Sequence, residues 1–152
     1  MMVDGKAVYD QIKARAEVTE ASMTSARRIT ATVSAENYRP FVEFLVKLGF
    51  DHVIMITGLD NGKELEVLLH LGRSVVVTVR TVLNMDKPVL DSLVDILPGI
   101  PFHEREVHDV LGVDYRNSPD QSRVILPYDW PSGVYPLRKS FSPKTPEPLR
   151  RG

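Results

Sequence analysis

The tripeptide Asp60-Asn61-Gly62 constrains this chain more than any other feature. Asn and Gly accept the positive φ values that tight hairpin turns need. Strand-like runs flank it, His52 to Thr57 and Glu64 to Leu71, and Gly72-Arg73 predicts a second turn into a third run, Ser74 to Thr81. Three runs joined so closely predict a meander of neighbouring strands. Upstream, Ile29, Ala31 and Val33 alternate with Thr30 and Thr32, the pattern of a half-buried strand. Ser34 then offers an N-cap for a helix reaching about Leu48, with Phe41, Phe44, Leu45 and Leu48 as its apolar stripe and Gly49 as its stop. Pro40 shifts the expected start of that helix toward Arg39, so that the ring falls in the first turn.

The flanks read more simply. Val8, Ile12 and Ala16 share one face of a helix over residues 5 to 18, and the small polar stretch Thr19 to Arg28 reads as a linker. Further on, the pattern predicts one helix from Val89 to Leu97, ended by Pro98-Gly99, and another from Pro101 to Leu111, stopped by Gly112. The expected class is α+β: a mixed sheet with helices on one face, followed by an extended, proline-rich C-terminal arm. The divisions are an N-terminal helix and linker over 1–28, an α+β domain over 29–117 and an arm over 118–152.

Six of the eleven prolines (Pro127, Pro131, Pro136, Pro143, Pro146 and Pro148) fall in the last 26 residues. Proline at that density removes amide donors and fixes φ, which disfavours both helix and central strand. Yet Val124, Ile125, Leu126, Tyr128, Trp130, Val134, Tyr135 and Leu137 lie in the same stretch. Disordered linkers seldom carry so many large apolar groups. The arm is therefore expected to gain order by lying on another surface, that of a partner subunit. Arg138-Lys139, Lys144 and Arg150-Arg151 give it a basic end that suits acidic head groups, a partner's carboxylates or plain solvent.

Several chemistries are excluded or poorly supported. With no cysteine, the chain holds no disulfide, no thiolate zinc and no cysteine-bound iron–sulfur cluster. A net charge of −1 gives no electrostatic reason to expect nucleic acid. No apolar run approaches the ~20 residues of a membrane span, and the start carries Asp4 and Asp10 where a signal peptide would be apolar. Gly62-Lys63 lacks the rest of a phosphate loop, and no serine sits in a nucleophile elbow. The densest set of candidate ligands is His103-Glu104-Arg105-Glu106-Val107-His108-Asp109. Its histidines lie about 140° apart around a helix, whereas metal binding by a helix needs them at i, i+4. Glu104 with His108, and His103 with Glu106, share faces but supply two ligands each. The structural reading gives this helix an apolar side of Phe102, Val107, Val110 and Leu111, an Arg105–Asp109 ion pair, and charged residues facing solvent or a partner.

The stretch from Phe102 to Phe141 resembles the signature region of the complex I 30 kDa subunit family, the C subunit of proton-pumping NADH-quinone oxidoreductases. Glu104-Arg105-Glu106, Asp109-Val110-Leu111-Gly112-Val113, Pro119-Asp120, Arg123-Val124-Ile125-Leu126-Pro127, Asp129-Trp130 and Tyr135-Pro136-Leu137-Arg138-Lys139 follow its pattern in register. Ser118 and Ser122 depart from it, standing where the family has a histidine and an arginine. The same domain recurs in group 4 membrane-bound nickel–iron hydrogenases, formate hydrogenlyases and archaeal F(420)H(2)- or ferredoxin-linked complexes.

The resemblance implies a scaffolding subunit without catalytic or metal-binding residues, at the cytoplasmic side of the membrane, touching the bilayer through partners alone. No cofactor is implied in this chain; iron–sulfur clusters, and with them nickel–iron, flavin or quinone, would sit on neighbouring subunits. The implied partners are a 49 kDa-type or hydrogenase-large-subunit-type protein and iron–sulfur subunits. The implied interface comprises Glu104, Arg105, Glu106, Asp109, Arg123, Leu126, Pro127, Tyr128, Asp129, Trp130, Tyr135, Pro136, Leu137, Arg138 and Lys139. A stand-alone metal-binding enzyme built on His103, Glu106 and His108 is the rival from another class.

Overall fold

The structure is a computed structural model and describes residues 4–143. The basic residues Lys144, Arg150 and Arg151 lie outside the described residues. The elements run α1 (Gly5–Lys13), β1 (Val18–Ser25), β2 (Arg28–Val33), α2 (Ala35–Lys47), β3 (Val53–Asp60), β4 (Glu64–Gly72), β5 (Val76–Asn84), β6 (Val89–Asp91), α3 (Pro101–Leu111) and β7 (Asp114–Arg116).

The Asp60-Asn61-Gly62 turn does what its chemistry predicts. Gly62 adopts φ +95°, and the Asp60 and Asn61 side chains accept the amides of Gly62, Lys63 and Glu64. It joins β3 to β4 in an antiparallel pair that places Ile56 opposite Leu69 and Gly58 opposite Val67. The second hairpin pairs β4 with β5. The chain order does not carry over to the sheet, however. Its five strands run β1-β2-β5-β4-β3, with β2 parallel to β5, so the sheet is mixed. A two-stranded parallel sheet, β6 with β7, sits apart.

One face of the large sheet carries Ile29, Ala31, Val33, Leu65, Val67, Leu69, Leu71, Val77 and Val79, all buried. These join Val8 and Ile12 of α1, Tyr38, Phe41, Val42 and Leu45 of α2, and Val107, Val110 and Leu111 of α3 in one apolar cluster. At about 1.5–3 kcal/mol for each large side chain taken from water, this face dominates the stability of the domain. The opposite face (Thr30, Thr32, Glu66, Leu68, His70, Thr78, Arg80) is half-buried.

Four sequence expectations need correction. The Thr19–Arg28 linker is mostly β1, an edge strand whose backbone pairs with β2 along one side. Because its other side and most of its side chains meet water, it needs few apolar residues, and composition alone hid it. Helix α1 ends at Lys13, since Val18 is already committed to that strand. Helix α2 begins at Ala35 despite Pro40 in its interior. Ser34 caps it by accepting the Asn37 amide at 3.3 Å. Fully buried Tyr38 and the Arg39–Asp95 pair at 2.6 Å hold the turn that precedes the proline.

The expected helix over Val89–Leu97 is strand β6 followed by turns. The Ser92 amide goes to the Arg116 carbonyl, and the Leu93 amide goes to a buried carboxylate, Glu104 Oε1, at 2.8 Å. Both donors that would continue a helix are thereby taken.

Candidate functional site

Helix α3 starts with Pro101 in its first turn and ends at Gly112, which takes the left-handed conformation at φ +75°. Two of its sides are covered. Val107 and Leu111 approach Gly58 of β3, where the missing side chain lets the helix sit close to the sheet. The other covered side lies under the arm.

Glu104 faces inward, only 1% exposed. Its carboxylate accepts the Ser92 hydroxyl at 2.7 Å and the Leu93 amide at 2.8 Å. Burial pushes its pKa above the ordinary range, and the two donors only partly oppose that shift. The buried phenols of Tyr38 and Tyr115 are shifted upward as well, first by burial and then by neighbouring groups that include Glu104. Glu104 therefore locks α3 to the segment after β6 and does not face a partner.

Asp109 is the anchor of the arm. Its Oδ2 accepts the amides of Val124, Ile125 and Leu126 at 3.2, 2.9 and 2.7 Å. Its Oδ1 meets Arg123 Nη1 at 3.4 Å. Burial alone would raise the carboxyl pKa and is the largest single influence, but the three amides and the guanidinium together hold it below the ordinary value. The expected Arg105–Asp109 pair does not form, because the arm claims Asp109. Arg105 instead donates to Ser122 O (3.0 Å), Ser122 Oγ (2.9 Å) and Arg123 O (3.0 Å), and pairs with Asp120 at 3.5 Å.

The three arginines act alike. Each guanidinium, with five donors and no acceptor, collects carbonyl oxygens left outside regular pairing: Arg105 and Arg123 take those of the arm, and Arg138 takes those of the domain beneath it. Arg123 Nη2 donates to Trp130 O at 2.7 Å. Arg138 donates to Leu111 O (2.8 Å) at the open end of α3 and to Met85 O (3.2 Å), with its Cζ 4.9 Å from the Tyr135 ring centre. Tyr135 in turn lies against Gly112, where a Cβ would fall among its ring atoms. Trp130 is half-buried, bonded through Nε1 to Val134 O at 2.8 Å and 6.1 Å from the Phe141 ring. The Leu137 amide reaches Val110 O, and the Lys139 amide reaches Asp60 Oδ2 at 2.8 Å. The surface on which the described arm lies is thus its own domain.

Other expected site residues stay outward. Tyr128 is 89% exposed and Leu137 59%; Pro127, Asp129 and Lys139 are exposed, and Glu106, Leu126 and Pro136 are half-buried. Ile125, not among the expected site residues, is also 51% exposed. A cleft of about 280 Å³ opens between α3 and the arm, lined by His108, Asp109, Arg123, Ser132 and Tyr135. His108 Nδ1 donates to Val113 O at 2.9 Å, which turns that ring nitrogen away from ligand binding. Among the described residues no three His, Asp or Glu side chains converge as metal donors, and no helix is long and apolar enough to cross a membrane. Sequence reasoning missed Ser92, the partner of Glu104, and Gln121, which accepts the Tyr115 amide at 2.8 Å. No local pattern marks either.

Residues 31–147 match the family described as the respiratory-chain NADH dehydrogenase, 30 Kd subunit. The chain belongs to this family. Named relatives resemble it over most of its length. The C subunit of the F(420)H(2) dehydrogenase of Methanosarcina mazei is 31% identical, over 82% of this chain and 82% of that protein. The beta subunit of the membrane-bound hydrogenase of Pyrococcus furiosus is 32% identical, over 90% of this chain and 86% of its own. In the C/D subunit of the NADH-quinone oxidoreductase of Phocaeicola vulgatus, 66% of this chain aligns at 41% identity with only 20% of a much longer polypeptide. Among solved structures, a chain of the membrane-bound sulfane sulfur reductase, an archaeal respiratory membrane complex, superposes with TM-score 0.81 at 28% identity, over 91% of this chain and 85% of that one.

Proposed function

We propose that this chain is a non-catalytic subunit, with no redox cofactor of its own, in the peripheral arm of a membrane-bound complex I-like oxidoreductase. There it packs against the 49 kDa-type large subunit on the cytoplasmic side and supports electron transfer coupled to ion translocation. Iron–sulfur subunits of the same complex carry the redox centres, and contact with the membrane runs through partners. One observation carries the reading: the family match includes both α3 and the arm, whose buried polar groups are spent on holding the arm in shape. What the arm then offers outward is an ordered apolar fringe of Ile125, Tyr128 and Leu137. A preorganised segment with exposed aromatic and aliphatic anchors loses little chain entropy on docking, which suits a permanent interface.

Of the implied interface residues, exposed Tyr128, Asp129, Leu137 and Lys139 and half-buried Glu106 would touch the partner directly. Glu104, Arg105, Asp109, Arg123 and Arg138 act one step back, by fixing the surface the partner meets. The C/D relative, whose name joins two subunits of its complex in one polypeptide, favours another subunit of the same complex as immediate neighbour, which we take to be the large one. A second reading, the equivalent subunit of an energy-converting nickel–iron hydrogenase, is favoured by the hydrogenase beta subunit, whose similarity covers almost the whole chain.

A mild-detergent pull-down of the tagged chain from its native membranes, followed by mass spectrometry, tests the assignment. Recovery of a large subunit with iron–sulfur partners is the expected result, and the input module recovered separates dehydrogenase from hydrogenase. Arg123→Ala, which unpairs Asp109 and frees Trp130 O, is expected to lower that recovery. A chain recovered alone and monomeric would overturn the assignment.

A further inference from the structure

The two edges of the five-stranded sheet are built differently. Strand β1 is guarded: exposed Thr19, Glu20, Ser22 and Thr24 line it, and register shifts interrupt its pairing at Val18/Glu20 and Met23/Ser25. Charge and bulges of this kind keep an edge strand from recruiting another. Strand β3 has little such protection. From Val53 to Leu59 it carries no charged residue, and among the described residues it pairs with β4 alone. Its register shift lies near its start, between Val53 and Met55, and there Ile54 turns its side chain over Gly72. Met55, Thr57 and Leu59 stand opposite His70, Leu68 and Glu66, on the half-buried face of the sheet. Ile54, Met55 and Leu59 are 43%, 45% and 36% exposed. An uncharged, apolar edge strand with one side of its backbone open is an interaction site or an aggregation hazard.

We propose that β3 receives a strand from the large-subunit-type neighbour, so that the sheet continues across the subunit boundary. The proposal rests on the subunit assignment above. The incoming segment is extended and uncharged, with apolar side chains on the side that meets Met55 and Leu59. Its backbone pairs with β3, and its side chains supply the selectivity. A second copy of this chain is the other conceivable occupant. The large neighbour is favoured because the C/D relative contains this domain as about a fifth of one longer chain, giving it a fixed and different companion.

The test compares tagged wild-type chain with Met55→Lys/Leu59→Lys, both expressed in the native host, and with Ser22→Lys/Thr24→Lys on the β1 edge as control. Both pairs are exposed, so thermal unfolding of the purified chains should agree closely. Recovery of the large subunit should fall about tenfold or more for the β3 variant, whose lysines would have to be desolvated in an apolar contact, and stay level for the β1 variant. Hydrogen exchange of β3 amides should slow about tenfold or more in the complex relative to the isolated chain. If wild type recovers no oxidoreductase subunit, the subunit assignment itself fails. If wild type recovers its partner and the β3 variant does so equally well, or β3 amides exchange alike in both states, the strand proposal fails alone. An isolated wild-type dimer that the β3 variant turns into a monomer, with assembly unchanged, would give the edge to a second copy and overturn the proposal.

Discussion

Asp109→Asn tests whether a single carboxylate organises the arm. Hydrogen bonds to a charged acceptor contribute more than neutral ones by about 1 kcal/mol each. Three backbone amides meet Oδ2 at 2.7 to 3.2 Å, so removing the charge should cost on the order of 3 kcal/mol. Asparagine cannot reorient around the problem. If its carbonyl faces the amides, its NH2 faces Arg123; if it flips, the NH2 faces the amides. The loss has a ceiling, however, because an arm that peels away leaves the core cluster in place. The expected result is therefore local: the arm releases at neutral pH while the main unfolding transition moves little. Trp130 reports it directly, being the chain's one tryptophan and half-buried within the arm. Its emission should shift to the red, and limited proteolysis should begin to cut within 118–143.

Acid gives the same test in the wild type. The native carboxyl is held below the ordinary 3.8, so its contribution is complete above that value and is lost as pH falls through the lower native value. Wild-type Trp130 emission should hold down to about pH 4 and redden below it, whereas the Asn variant starts out red. Unchanged emission and protease resistance in Asp109→Asn at neutral pH would refute the reasoning.

Two other substitutions address the same helix. Glu104 has a native pKa raised above the ordinary 4.5, so the folded state takes up its proton first. Wild type should gain stability as pH falls from neutral toward 4.5, and Glu104→Gln should lack that component in parallel thermal melts. Gly112→Ala forces a left-handed alanine into the Tyr135 ring, and should cost about 2 kcal/mol or more in denaturant unfolding. Combining it with Tyr135→Ala should recover part of the loss, measured as a coupling energy in the double-mutant cycle.

What the sequence revealed and what it hid follow from the range of the interactions. The Asp60-Asn61-Gly62 turn, the Ser34 cap and the Gly112 stop act within a few residues, so local chemistry announces them. Strand β1 depends on a partner for its pairing and has little apolar pattern of its own. The segment after β6 repeats leucines at helical spacing, yet distant groups take the amides a helix would use: the Arg116 carbonyl takes that of Ser92, and Glu104, twelve residues downstream of Ser92, takes that of Leu93. The motif led to the right family, but it could not tell which of its charged residues look inward. Glu104 and Asp109 are nearly buried, while Glu106 between them is not. That sorting depends on where the arm lies, and only the fold supplies it.

The parallel pairing of β2 with β5 sets an order of events for a nascent chain. Ile29 finds its neighbour in Val77, and Thr32 in Arg80, only after α2 and the whole β3–β4 hairpin have been synthesised between them. Until then β2 can pair with β1 alone, leaving its other side open. Closing so long a loop precedes any reward from the contact, so this step should limit the folding rate and place it among slower, β-rich domains. Ribosome-bound intermediates arrested before Val76 would hold an unfinished sheet centre, and at that stage a holding chaperone has the most to protect.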